Sequence, residues 1–331
     1  MALRLEPLDE YPHPAGPEAN FNESVYGNFY DPSTRIGGFL RLGNRVHEAH
    51  AEMTVCLYLP DGRVAFMFRR PHISSNEAFD AGGLRFEIIR PLGELNVSYK
   101  GEVVLLEDPL MMADPKRAFI ENPHTDCSVD LTLTGVSTVF GGVPEDEKEG
   151  DQFARAHYEQ LTSAFGSIDV ATEHWDVDGY GLRDHTWGPR SWQAPWYYRW
   201  LTANLGPTFG FMGRRWALPR GTGKDGEGGR DGFVWDGTAM HVCDDFSIST
   251  TWTGANNYHD TIEATLRAAE REWHVRGKVL ALVPLRNRRD SLVTRISEGM
   301  TEWRLDDGRI GYGISEYLDQ IIDGQPVGLA E

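Results

Sequence analysis

Fourteen consecutive residues, Gly179 to Trp192, bring together one acid, one imidazole, two guanidiniums and two indoles, in the order Gly-Tyr-Gly-Leu-Arg-Asp-His-Thr-Trp-Gly-Pro-Arg-Ser-Trp. An imidazole set between an acid and an indole can move a proton or anchor a polar group beside a π-face. The Asp178-Gly179 turn signal and the Gly188-Pro189 break predict a short β-strand over Tyr180 to Trp187. Alternation puts Arg183, His185 and Trp187 on one face and Leu182, Asp184 and Thr186 on the other. Charge beside a large aromatic is costly to bury unless it is paired or used. Two readings stay open. In one, an Arg-Asp-His network pins a strand crossing. In the other, the strand walls a ligand cavity, with His185 as a polar contact, Trp187 as a π-face, and Asp184 or Arg183 fixing the imidazole tautomer.

Two carboxylates near the C-terminus offer acid chemistry. Over Thr294 to Trp303, Ile296, Glu298, Met300 and Glu302 share a strand face, and over Gly311 to Leu318, Tyr312, Ile314, Glu316 and Leu318 share one. If that face is interior, desolvation favours the protonated acid near neutral pH; if it is exterior, Glu298 and Glu316 are surface charges. All ten tryptophans lie between Trp175 and Trp303, which fits either core filling or an aromatic-lined cavity in the second half. The candidate catalytic residues are therefore Asp184, His185, Glu298 and Glu316. The candidate substrate contacts are Tyr180, Arg183, Trp187, Arg190, Trp192, Trp196, Trp235 and Tyr312.

Other signatures fail. Gly221, Gly223 and Gly226 have dinucleotide-loop spacing, but Glu-Gly-Gly-Arg-Asp-Gly follows where a helix is required, and Lys224 lacks the Ser or Thr of a phosphate-binding loop. Neither Gly-x-Ser-x-Gly nor His-Glu-x-x-His occurs. Asp176-Val177-Asp178-Gly179 is too short for a calcium loop and reads as a turn. The eleven histidines form no compact triad, so no metal is assigned and a site could arise only by long-range assembly.

The elements around these residues read as β-structure. Met1 to Pro32 has no periodicity and is expected to be an irregular arm. Glu52 to Leu59 and Arg63 to Phe68, joined by Pro60-Asp61-Gly62, form a hairpin pattern. Further strands are expected at Leu84 to Ile89, Glu94 to Tyr99, Glu102 to Leu106 and Ser128 to Thr134. Seven Asp-Gly pairs give the turn density of antiparallel sheets that close into barrels or sandwiches. Asp151 to Ala164 is the clearest helix candidate, and Thr261 to Val275 is ambiguous between helix and strand. At 331 residues the chain suggests two domains, 1–143 and 157–331, joined by an acidic linker at 144–156, with the Trp-rich cavity in the second. The Gly-rich, charged stretch from Arg220 to Arg230 reads as a mobile loop.

Composition narrows the partners. A net charge of −18 disfavours nucleic acid. No run approaches the roughly 18 to 20 apolar residues of a membrane span, and Met1 to Gly16 has no apolar signal region, so a cytoplasmic location is expected. Three widely spaced cysteines, Cys56, Cys127 and Cys243, fit a reducing compartment better than a disulfide framework.

The segment Gly181 to Arg190, with His157-Tyr158-Glu159-Gln160 upstream, Gly311 to Tyr317 downstream and Ala81 to Phe86 in the first half, resembles the hydroxyneurosporene synthase (carotenoid 1,2-hydratase) superfamily. Its AttH-like members are related to tocopherol cyclase and lipocalin-like Diels-Alderases. The resemblance implies an all-β chain of two tandem lipocalin-like antiparallel β-barrels, or a barrel plus a sandwich, with few helices. It also implies an apolar ligand near their junction and no cofactor. His185 and Trp187 match the family's His-x-Trp pair and carry over as cavity residues. The family's proton donor is expected to be an Asp on the following strand, yet Tyr197 to Trp216 contains no Asp or Glu. Asp184, Glu298 and Glu316 are then the remaining candidates.

Three functions are consistent with these residues. The first is an enzyme that protonates a C=C bond of a hydrophobic isoprenoid, terpenoid, sterol-like or polyene substrate, with hydration or cyclisation following and aromatic faces steadying the cation. The second is a pericyclase that needs shape and carbonyl-polarising donors but no strong acid. The third is a carrier of a lipophilic molecule without chemistry. Substrate identity and oligomeric state are not specified by the sequence.

Overall fold

The computed structural model describes residues 3–144, 155–219, 228–289 and 291–329. The chain forms two compact units, Met1–Asp108 with Ala118–Ser191, and Pro109–Arg117 with Trp192–Glu331. Both are built from antiparallel sheet, and the described residues contain one α-helix, α1 (Pro115–Glu121).

The first unit holds β1 (Leu3–Arg4), β2 (Phe21–Asp31), β3 (Ile36–Arg45), β4 (His50–Tyr58), β5 (Val64–Arg69), β6 (Phe79–Ala81), β7 (Leu84–Arg90), β8 (Glu94–Leu106), β9 (His124–Gly135), β10 (Phe140–Pro144), β11 (Ala156–Val170) and β12 (Glu173–Pro189). Eight of them form a ring. Hydrogen bonding runs from β11 through β12, β2, β3, β4 and β5 to β8, and β9 pairs with both β8 and β11. Closure of this kind leaves those eight strands without a free edge. The pairs β10–β1 and β7–β6 branch from β11 and β8. Period-2 alternation then fills the interior: Val25 and Phe29 of β2, Leu40 and Leu42 of β3, Val55 and Leu57 of β4 and Val129 and Leu131 of β9 all belong to one buried cluster.

The second unit holds β13 (Tyr197–Asn204), β14 (Gly210–Ala217), β15 (Gly228–Trp235), β16 (Met240–Val242), β17 (Asp245–Thr253), β18 (Tyr258–Ala268), β19 (Arg271–Arg289), β20 (Leu292–Leu305), β21 (Ile310–Ile322) and β22 (Gln325–Pro326). Their order is β16-β15-β14-β13-β21-β20-β19-β18-β17, with β22 on β21. The sheet curls into a half-barrel. The chain between β16 and β17 bonds to both ends of the sheet, Cys243 N–H donating to the Gly232 carbonyl and Asp244 N–H to the Arg267 carbonyl. Leu201, Phe211, Phe246, Ile262, Trp303 and Tyr317 pack into its core.

The all-β, two-sheet architecture is as expected, but several local expectations are corrected. Residues 156–164 are strand, not helix, and residues 151–154 lie outside the described ones. The Ala-, Glu- and Gln-rich stretch suits a helix by propensity, but fifteen consecutive register pairs with β12 override it. Within the supposed N-terminal arm, Phe21 to Asp31 is β2, buried along its whole length between β3 and β12. Thr261 to Val275 contributes to two strands, β18 and β19. The segments at Glu94 and Glu102 are one strand, β8. Asp176 to Gly179 is not a turn but part of β12, which starts at Glu173. The expected division at 144–156 does not coincide with the units, because β11 and β12 pair with β9, β10 and β2, so the division falls between Ser191 and Trp192. Residues 145–154 and 220–227, including Gly221, Gly223, Lys224 and Gly226, lie outside the described residues.

Candidate functional site

The face assignment made from alternation holds on β12. In register, Arg183, His185 and Trp187 lie beside Gln160, Tyr158 and Ala156 of β11 and beside Gly27, Val25 and Glu23 of β2. Val25 belongs to the ring's interior cluster, so these side chains point inward. His185 Nε2 is 3.0 Å from Glu23 Oε1 and its Nδ1 is 3.3 Å from the Tyr158 hydroxyl. The tautomer is therefore set by Glu23 and Tyr158, not by Asp184 or Arg183. Arg183 instead donates to Glu10 Oε1 at 2.6 Å and to Gln160 Oε1 at 2.9 Å.

The N-terminal segment completes this cluster. His13 stacks on the Trp187 indole, with ring centroids 4.1 Å apart, and its Nδ1 is 2.6 Å from Glu23 Oε1. Phe79 and Tyr158 meet His185 edge to face. The His185 and Trp187 rings are thus closely packed by protein groups, which matches the pinned-network reading more closely than an open wall. Burial alone would raise the Glu23 carboxyl, but hydrogen bonds and charge from His13 and His185 outweigh it and hold it below the usual range. Burial opposes protonation of His13, yet Glu23 and Asp9 raise it.

The opposite face of β12 carries a second cluster. Asp184 lies directly across from Glu159, and His157 Nε2 contacts Asp184 Oδ2 and lies 3.1 Å from Glu159 Oε1. Burial acts against the imidazolium, but the two carboxylates push His157 up to about 9. Burial likewise acts to raise Asp184, while the charge and hydrogen bond of His157, then Arg190, lower it. Asp184 is therefore an ionised partner of a cation, and it does not suit the role of proton donor.

In the second unit, Glu298 of β20 and Glu316 of β21 are register partners, directly opposite each other. Above and below them on the same face are Met300 opposite Ile314 and Ile296 opposite Leu318, and beyond Met300 stands Glu302 opposite Tyr312. On the other side of β21, Trp200 of β13 lies opposite Glu316 and Tyr198 opposite Leu318. The Tyr198 hydroxyl donates to Glu316 Oε1, and Tyr312 donates to Glu302 at 3.2 Å. Met300, Ile314, Leu318, Tyr198, Trp200 and Glu298 are buried, and Glu316 is intermediate. The interior condition posed by the sequence is met for Glu298. The reverse face of the same strands, with Leu201, Tyr317 and Trp303, belongs to the half-barrel core, so β13, β20 and β21 are covered on both sides.

The remaining candidates are dispersed. Tyr180, midway along β12, and Arg190, just past its end, lie at intermediate exposure. The Trp192 carbonyl accepts from Thr294 and Gln320, the Trp196 carbonyl accepts from the Gln320 N–H, and Trp235 Nε1 donates to the Pro207 carbonyl at 2.9 Å. The structure gives these three groups backbone or loop-fastening contacts. Tyr312 alone of them shares the Glu298–Glu316 face. Trp175 and Trp187 belong to the first unit, so the tryptophans do not all line one domain. Sequence reasoning missed Glu10, His13 and Glu23 because they fall in the segment read as an arm. It missed Tyr198 and Trp200 because only an acid was sought on that strand. Alternation over Phe21 to Asp31 was the available signal for Glu23.

A family model described as a domain of unknown function, DUF7064, matches residues 6–321. The chain belongs to the DUF7064 family. No curated protein matches it in sequence. Solved structures share the DUF7064 fold at low identity. AttH (NE1406) of Nitrosomonas europaea is 14% identical with a TM-score of 0.54, the alignment covering 92% of this chain and 94% of that one. CghA crystallised with Sch210972 is 10% identical with a TM-score of 0.60, covering 91% and 89%. Kievitone hydratase of Nectria haematococca is 11% identical with a TM-score of 0.59, covering 95% and 93%. The expected likeness to AttH-like proteins is thus found at the level of fold, and a neighbour in that fold is a hydratase. No helix among the described residues is long and apolar enough to cross a membrane.

Proposed function

We propose that this DUF7064 protein is an enzyme that protonates a C=C bond of a hydrophobic substrate, with Glu298 as the acid and Glu316 as its paired base. The observation that carries the reading is the cross-strand Glu298–Glu316 pair on a face of apolar and aromatic side chains. Directly opposed residues have Cβ atoms about 4.5–5.5 Å apart, so two carboxylates there favour sharing one proton. The Tyr198 hydroxyl donates to Glu316 and favours its ionised form, while Glu298 is the more deeply buried of the two and takes the proton.

In this reading the Glu298 O–H bond breaks and its proton forms a C–H bond at one alkene carbon. The cation left at the other carbon is held against the Trp200 and Tyr198 rings, a contact worth about 0.5–2 kcal/mol per ring. Water adds to the cation and gives its proton to Glu316, which returns it to Glu298; or an internal alkene adds in its place and closes a ring, and the new cation loses a proton from a neighbouring carbon to Glu316, leaving a C=C bond and returning the proton to Glu298. That a neighbour in this fold is named a hydratase supports the reading, and the assignment to this chain rests on the pair.

The test incubates the full chain with a panel of prenylated phenols, linear terpenes and polyenes in D2O and follows product mass. Uptake of D2O, or exchange of one hydrogen for deuterium in a cyclised product, is expected for wild type. Glu298→Gln should lower turnover by about 10²–10⁴-fold, with binding, read by Trp quenching, retained. Turnover that survives Glu298→Gln with Glu316→Gln would replace this reading by a pericyclic one. Binding without turnover in wild type would leave a carrier.

A further inference from the structure

We propose that His13, Glu23 and His185 form a binding site for a divalent transition metal of the zinc type, which fastens the N-terminal segment to the mouth of the eight-stranded ring. This goes beyond the proposed reaction, and it lies in the other unit from the glutamate pair.

The donor set comes from three places in the chain, the N-terminal segment, β2 and β12, and the fold brings one ligand atom of each within 4.8 Å of the others. His13 Nδ1 and His185 Nε2 both converge on Glu23 Oε1, at 2.6 and 3.0 Å. Two imidazoles and one carboxylate are the hard-to-borderline set that zinc takes with three protein ligands and one open position. Zn–N and Zn–O bonds of about 2.0–2.2 Å place tetrahedral ligand atoms about 3.4 Å apart. Small rotations of His13 and Glu23 open the observed separations to that value, and the ion takes the place of the two protons now shared with Oε1.

The surroundings are those of a ligand set held from behind. Ligating histidines commonly give their second nitrogen to a hydroxyl, carbonyl or carboxylate, and ligating carboxylates are themselves hydrogen-bonded. Here the Tyr158 hydroxyl stands 3.3 Å from His185 Nδ1, and Asp9 Oδ1 stands 3.5 Å from His13 Nε2. Glu23 Oε2 accepts from the His13 N–H at 2.8 Å and from Asn76 Nδ2 at 2.5 Å. Glu23 and His185 are buried, at 0% and 2% exposure, so the ligands are shielded from competing water. The His157–Glu159–Asp184 cluster on the opposite face of β12 also gathers three donors, but with a single imidazole against two carboxylates; it serves as the control.

The full chain is stripped with a chelator and titrated with Zn2+ by calorimetry, and with Co2+ by visible absorption. Wild type is expected to bind one equivalent and to give the intense d–d bands of four-coordinate Co2+. Glu23→Gln and His13→Asn should both abolish that equivalent, and Tyr158→Phe should weaken it by roughly 10–100-fold, the usual cost of losing an outer-shell partner. Asp184→Asn should bind as wild type. His13 lies outside the strands, so its variant stays folded, and far-ultraviolet dichroism checks this. No binding by wild type above a blank, or unchanged binding by His13→Asn and Glu23→Gln, would overturn the site. Loss in Asp184→Asn alone would move it to the His157 cluster and overturn it equally.

Discussion

His259 gives the protein a defined acid sensitivity. Its ring is 2% exposed, stacked on Tyr317 at 4.0 Å, with Nε2 3.0 Å from Ser315 Oγ and 3.1 Å from the Ser315 carbonyl. Nδ1 has no hydrogen-bond partner among the described residues, so the neutral ring with its proton on Nε2 satisfies the site and a second proton would find no acceptor. Burial, then the charge of Arg199, lowers the imidazole from 6.5 to about 3. Above pH 6.5 the ring is neutral in both native and unfolded chains and contributes no pH dependence. Below 6.5 the unfolded chain takes up a proton that the native ring refuses, so stability falls as pH falls, by about 1.4 kcal/mol per unit, until the native ring titrates near 3. Integrated from pH 7 to pH 5, the loss is about 2 kcal/mol. Urea unfolding followed by Trp fluorescence at both pH values, for wild type and His259→Gln, isolates it, because all other groups titrate alike in the two proteins. Wild type should lose about 2 kcal/mol more than the variant between pH 7 and pH 5. Equal losses in both would refute the burial-and-Arg199 account.

Two further outcomes follow from other contacts. Arg199 and Asp319 are fully buried and joined by two hydrogen bonds of 3.1 and 3.0 Å, so Asp319→Ala should destabilise by about 3–5 kcal/mol in the same unfolding assay, whereas Arg199→Met with Asp319→Leu should recover most of that. At Gly181 an added Cβ would stand 1.8 Å from the Asn28 carbonyl oxygen of β2, so Gly181→Ala should cost about 3 kcal/mol or more, read as a lowered Tm, while Gly308→Ala, in an open turn, should cost less.

The architecture was legible because antiparallel sheets write themselves into a sequence twice, as alternation and as turn residues. The β4–β5 hairpin and the faces of β12, β20 and β21 were all readable in that way. What escaped was long-range partnership. Propensity favoured a helix at residues 156–164, and only the presence of β12 as a fifteen-residue partner decides for strand. The Glu298–Glu316 pair shows both sides. Each glutamate's apolar neighbours could be read from its own strand, but that the two stand opposite each other depends on the register across Asp306 to Arg309. The ring partners of His185 and the partner of Asp184 escaped for the same reason, since Glu23 and His157 enter from β2 and β11.

The ring is sealed by joining its first long strand to its last. Asn28 and Leu182, bonded across β2 and β12, are separated by 154 positions in the chain. At a synthesis rate of about 5–20 residues per second, β2 leaves the ribosome roughly 8–30 s before β12 exists to cover its second edge. During that interval a long ribbon with an apolar inner face waits with one row of amide groups unclaimed, and a cell making this protein must keep it from finding another copy of itself.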